Sequence, residues 1–139
     1  MIIRAMTVYD IDQALALWRH AFKAGFSSAF DTHEIIERYL ERNPELSTVA
    51  EDEKGRVVGA LMCGHDGRRG SIYHTAVSPE MRRRGVGKQM QERSLAELAK
   101  LGIHTGFLFI SIQNPGSREF WTGTGWEVVD EIKYLYKEF

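Results

Sequence analysis

Apolar positions recur along this chain at two spacings, and the change from one to the other marks its elements. Ile11, Ala14, Leu15, Trp18, Ala21 and Phe22 share one face of a helix. Thr7 and Asp10, just upstream, have the form of a helix-capping pair. A second helix is predicted from Asp31 or Thr32, with Ile35, Ile36, Tyr39 and Leu40 turned inward, ending before Pro44. Residues 2–5 read as a short strand, and 47–51 and 56–63 as hairpin strands joined through Glu53-Lys54-Gly55. A turn rich in glycine and charge over 64–70 leads into a strand over 71–77. The next helix runs from about Gly85 to a left-handed stop at Gly102. Phe107-Leu108-Phe109-Ile110 is apolar on both faces and is predicted as a centrally buried strand. A short helix after Asn114 and strands over 127–129 and 133–137 complete the pattern.

Composition narrows the class. A chain of 139 residues, 43% hydrophobic and 27% charged, is expected to form one globular domain over 1–139. A net charge of −1 gives no overall pull towards nucleic acid or an anionic membrane. No apolar run approaches the ~18 residues of a span, and the N-terminus lacks a signal-peptide core. The single cysteine, Cys63, excludes an intramolecular disulfide and fits a reducing cytosol, so a cytoplasmic location is expected. His20, His33, His65 and His104 lack metal-ligand spacing, and no metal is assigned.

The chemistry concentrates between Val77 and Lys88. There the strand meets the helix through Arg82, Arg83 and Arg84, with Gly85 and Gly87 one residue apart. Glycines let the backbone approach a ligand, and a helix start presents unpaired N–H groups to an anion, above all a pyrophosphate. Arginines add charge and forked donors. A dinucleotide fingerprint would need a third glycine where Met90 stands. A Walker A loop would need glycine at Arg82 and Ser or Thr at Gln89. What remains is Arg-x-x-Gly-x-Gly at Arg82, Gly85 and Gly87, after a strand ending Ala76-Val77-x-Pro79.

This pattern resembles the signature of the GNAT superfamily of acyl-CoA-dependent N-acetyltransferases. A second element is similar in the same order: Asn114-x-x-Ser117-x-x-Phe120-Trp121-x-x-x-Gly125-Trp126 looks like the family's Asn-x-x-Ala-x-x-Phe-Tyr-x-x-x-Gly-Phe. The resemblance implies an α/β (α+β mixed) GNAT fold. Its central sheet would be mixed and largely antiparallel, with a splayed pair of parallel strands and helices on both faces. It implies acetyl-CoA as cosubstrate and an amine acceptor, in a monomer or homodimer. Thr75, Ala76 and Val77 would pair with the pantetheine arm. Arg82, Arg83, Arg84, Gly85, Val86, Gly87 and Lys88 would wrap the pyrophosphate, and an N–H near Val77 would face the thioester oxygen. Asn114 would cap its helix, bond the pantetheine arm, or do both. The segment 22–33 falls where the family builds its acceptor site.

The chain departs from the family at the acid and base. Trp121 stands where a tyrosine commonly protonates the departing thiolate, and no acidic residue lies between Gly70 and Pro79. Tyr73 and His74 are the polar candidates there, and regular alternation would put them on opposite faces, only one in the cleft. Water carrying the proton, with Tyr73 assisting, is the expected arrangement. The reading is an acetyl-CoA-dependent N-acetyltransferase acting on a primary amine by direct attack. The alternatives are an acyl-CoA-binding module without turnover and an unrelated phosphate binder.

Overall fold

The computed structural model describes residues 1–23 and 26–139, with nothing said of the Pro115 side chain. The elements run β1 Ile2–Ala5, α1 Ile11–Phe22, α2 His33–Arg42, β2 Thr48–Glu51, β3 Val57–His65, β4 Gly70–Val77, α3 Val86–Lys100, β5 Gly106–Leu108 and α4 Pro115–Gly123. They fall into two units, Met1–Phe109 and Ile110–Phe139.

The first unit holds a five-stranded sheet in the order β1-β2-β3-β4-β5. Its first four strands are antiparallel neighbours, and β4 and β5 are parallel, as a mixed sheet requires. Alternation along the strands builds two cores. Val49, Ala60, Met62 and Ala76 join Ile11, Leu15 and Trp18 of α1 and Ile36 of α2 on one face. Thr48, Ala50 and Gly59 turn the other way, towards α3. There a Cβ added to Gly59 would lie 3.0 Å from the Met90 sulfur, so glycine permits the close approach. Both cores also hold bonded polar groups. The Trp18 indole donates to the Ala60 carbonyl (3.3 Å). The Ser94 hydroxyl donates to the Leu46 carbonyl (2.7 Å), which leaves Thr48 to donate to Ser94 (2.7 Å) and Arg93 to donate to Thr48 (3.0 Å). That chain of bonds fixes α3 on β2.

The helix ends follow the predicted chemistry. Asp10 accepts from the Thr7 amide (2.8 Å), and Thr32 accepts from the Ile35 amide (3.3 Å) as the cap of α2. Gly102 is left-handed, φ +79°, just beyond α3.

Two expectations are corrected. The run 107–110 is not a central strand: β5 has three residues, ends the sheet, and leaves Phe109 56% exposed. Phe107 and Phe109 pack on each other and on Tyr73, which accounts for one side of the run, and among the described residues no further strand pairs outside β5. Residues 127–139 carry no helix or strand. β-Propensity there is real, but a strand exists only where a neighbouring edge takes its hydrogen bonds.

Asp10 ties the first strand to the first helix through Arg4 (2.8 Å), which also bonds Glu51 (2.7 Å). Burial, the largest influence, pushes the Asp10 carboxyl up, but bonds from Arg4 and Thr7 together outweigh it and hold the carboxyl below its ordinary value. A carboxylate so depressed stabilises the fold above its unfolded value, about 3.9, and loses that contribution as pH falls through the lower folded value. Asp10→Asn is expected to lower stability by about 1–2 kcal/mol at neutral pH, the low end for charged bonds because Arg4 is partly exposed. The gap from the parent should narrow under acid conditions, as urea titrations at neutral pH and near pH ~3 will read.

Candidate active site

The site is built on β4, and a bulge shapes it. Leu61 pairs with Thr75 and Met62 with Tyr73, so His74 is the extra residue with no partner on β3. A bulge breaks alternation and turns two successive side chains the same way. Tyr73 packs beside the core under α1, and His74 meets Trp18 (5.5 Å) and Phe22 (5.4 Å) of α1. The expectation that they point to opposite faces therefore fails, because it assumed a regular strand.

Their surroundings differ. The His74 Nε2 lies 2.8 Å from Asp31 Oδ1, and the ring is walled by Trp18, Phe22 and Phe26. Asp31 is 2% exposed and also takes the Ser27 amide (2.9 Å). Histidine and aspartate together tie the segment before α2 to β4. Tyr73 instead lines a cleft with Ser71 and Phe107. The part Asp31 plays was missed, since no spacing rule links residues 43 apart.

Beyond the bulge, β4 has one free edge among the described residues. Pairing with β5 stops at Ile72–Leu108, while β4 continues to Val77. The Ser78 amide donates to Val58 on β3 (2.8 Å). In an antiparallel ladder a residue's N–H and C=O point to one side and neighbours alternate, so Val77 and Thr75 turn theirs to the free edge. The Val77 carbonyl agrees, because Arg82 Nε reaches it there (3.2 Å).

After β4, a short 3-10 turn over Pro79–Met81 leads to the glycine junction. Arg83 (φ +63°) and Gly85 (φ +77°) are both left-handed. Such turns curl successive amides into an anion-binding concavity. The N–H groups of Val86, Gly87 and Lys88 open α3 and have no carbonyl one turn earlier to meet them. Arg82, Arg83, Arg84 and Lys88 are exposed around them, and Val86 is buried as the helix anchor. The structure thus gathers residues 75–77 and 82–88 on one strand–turn–helix unit. A free strand edge followed by an amide nest suits an amide-bearing arm that ends in a pyrophosphate, so the residues present fit acetyl-CoA.

The profile of the acetyltransferase (GNAT) family matches residues 11–126. The chain belongs to this family. An acetyltransferase of Photorhabdus laumondii is 36% identical over 117 residues, 84% of this chain and 80% of that one. Another, from Sodalis glossinidius, is 30% identical over 138 residues, 99% and 94% of the two chains. In fold, this GNAT chain is similar to the PaiA N-acetyltransferase of Thermoplasma acidophilum, solved in complex with coenzyme A. The TM-score is 0.79 at 16% identity, over 93% of this chain and 91% of that one. It is equally similar to Ard1 from Thermoplasma volcanium, with TM-score 0.79 at 20% identity over 92% and 83%. As a GNAT N-acetyltransferase, the protein takes its acetyl group from acetyl-CoA.

The remaining GNAT motif lies in the second unit. The Asn114 side chain accepts from the Ser117 amide (3.2 Å), so it caps α4. Trp121 is buried, edge-on to Phe120 (4.8 Å) and Trp126 (5.8 Å), as a packing residue is. Cys63 is fully buried and burial pushes its thiol up to about 12, so it offers no thiolate at neutral pH.

Proposed function

We propose that this GNAT enzyme transfers the acetyl group directly to a primary amine in a ternary complex. It would work as a single cytoplasmic domain over 1–139, monomer or homodimer. The observation that carries the reading is the free edge of β4 running straight into the amide nest before α3.

Acetyl-CoA supplies an activated thioester. The chain's part is to hold it and to leave room for the amine. Thr75 and Val77 offer outward backbone groups to the pantetheine arm, with Ala76 fixing the strand against β3. Arg82 to Lys88 hold the pyrophosphate. The Val77 N–H stabilises the charge that develops on the thioester oxygen. The amine nitrogen bonds to the carbonyl carbon as the carbon–sulfur bond breaks. One proton leaves the nitrogen and one ends on the CoA sulfur. Water carries the first, aligned by the Tyr73 hydroxyl. No acid is needed for the second step, because a thiol with a value near ~8.5 leaves readily as thiolate, and Trp121 offers none. Cys63 does not carry the acetyl group, being buried and protonated. His74 is committed to Asp31 and to its aromatic walls, which favours a positioning role over that of a base.

Two measurements test this. Gly87 is inside α3, so Gly87→Asp should fold while setting a carboxylate against the pyrophosphate. Acetyl-CoA affinity measured by calorimetry should drop about ten- to a hundredfold, the worth of a lost charge-assisted contact. Unchanged affinity would sink the assignment. His74→Ala strands a buried carboxylate and should lower the melting temperature, while the pH–rate profile of thiol release keeps its shape. An acidic limb lost with the imidazole would make His74 the base.

A further inference from the structure

A cleft of about 280 Å³ opens where β4 and β5 run side by side, lined by Tyr39, Arg42, Arg69, Ser71, Tyr73 and Phe107 among others. It lies on the α2 side of the sheet. Ser71 pairs with Gly64, and a Cβ on Gly64 would strike the Tyr39 hydroxyl. Its size is near the lower bound of about 300 Å³ for small-molecule pockets, which suits a metabolite.

The polar groups around this cleft are unequal. Its acceptors are already engaged. Asp66 takes the Arg68 and Arg69 amides (3.0 Å each) and the Arg68 guanidinium (3.3 Å). Asn43 Oδ1 takes the His65 amide (3.2 Å), and His65 Nδ1 takes that of Gly67 (2.9 Å). Its donors are not engaged in the same way. Among the described residues Arg42 has no ion pair. Arg69 is held over the Phe107 ring (4.3 Å); it interacts with Asp66 through space, but among the described residues no carboxylate is bonded to its guanidinium, and Asp66 is bonded to Arg68. The Tyr39 hydroxyl is buried without a hydrogen-bond partner of good geometry, though the Ser71 hydroxyl is near enough to influence it. Donors in surplus, with two guanidinium groups among them, suit a group that only accepts: an ionised carboxylate.

Tyr73 connects this cleft to the chemistry. It stands at the first position of β4 beyond the pairing with β5 and two residues, about 7 Å, before Thr75 on the free edge. We propose that Arg42 and Arg69 bind the carboxylate of the acceptor, so that the enzyme acetylates a small amine that also carries an acid, such as a free amino acid. This rests on the reading of β4 as the acetyl-transfer edge.

The test is thiol release from acetyl-CoA with the twenty protein amino acids and with the amines left by their decarboxylation. For the preferred side chain, kcat/KM for the acid should exceed that for the amine at least tenfold. In Arg42→Gln/Arg69→Gln that ratio should collapse towards one, chiefly through KM of the acid, and Arg42→Lys/Arg69→Lys should recover part of it. A ratio near one in the parent, or one untouched by the double substitution, overturns the proposal. So does preference for phosphoethanolamine over every amino acid. Failure of the underlying reading would show separately, as CoA binding with no thiol release from any amine. In that case N-acetyl amino acids titrated into the CoA-loaded protein test the cleft directly. Binding abolished by Arg42→Gln/Arg69→Gln supports it, and absence of binding in the parent overturns it.

Discussion

One backbone irregularity organises this protein: β4 carries an extra residue at His74, and its pairing with β5 ends two positions earlier, with Ile72 the last residue paired. A sheet is stable because neighbouring strands satisfy each other's backbone groups. A strand inside the sheet order that is paired on one side only is an exception, and such exceptions gather at functional sites. Here the exposed edge is continuous with the amide nest before α3, so one strand and one helix start present a single line of backbone donors.

The two cores hold that edge in place. Trp18 anchors α1 to Ala60, the residue paired with Ala76 on β4. On the opposite face Thr48, Ser94 and Arg93 lock α3 to β2, which holds the helix start that closes the nest. The His74–Asp31 pair adds a third tie, from β4 to the segment before α2. Binding groups on packed elements are positioned before the ligand arrives, which lowers the ordering cost of binding.

The strand–turn–helix unit that we assign to the coenzyme was legible in the sequence because its geometry is local. Gly85, Gly87 and the arginines lie within one turn of chain, and Asn114 caps its helix three residues on. The helices were legible for the same reason, from their spacing and caps. What the sequence concealed is non-local. The bulge depends on how β3 pairs with β4, so alternation misplaced Tyr73 and His74. Asp31 meets His74 only through the fold, and Arg42 and Arg69 face one cleft from different elements. Residues 127–137 show the converse: their apolar alternation predicts strands, but pairing decides, and no ladder takes them among the described residues.

The free edge can be read amide by amide. Hydrogen exchange followed by NMR, with and without coenzyme A, reports each N–H on β4 separately. Thr75 and Val77 should exchange readily in the free protein and slow markedly when the coenzyme binds. Ala76 and Ser78, already turned to β3, should be protected in both states. Slowing confined to the glycine junction, with Thr75 and Val77 unchanged, would contradict the pairing of β4 with the pantetheine arm.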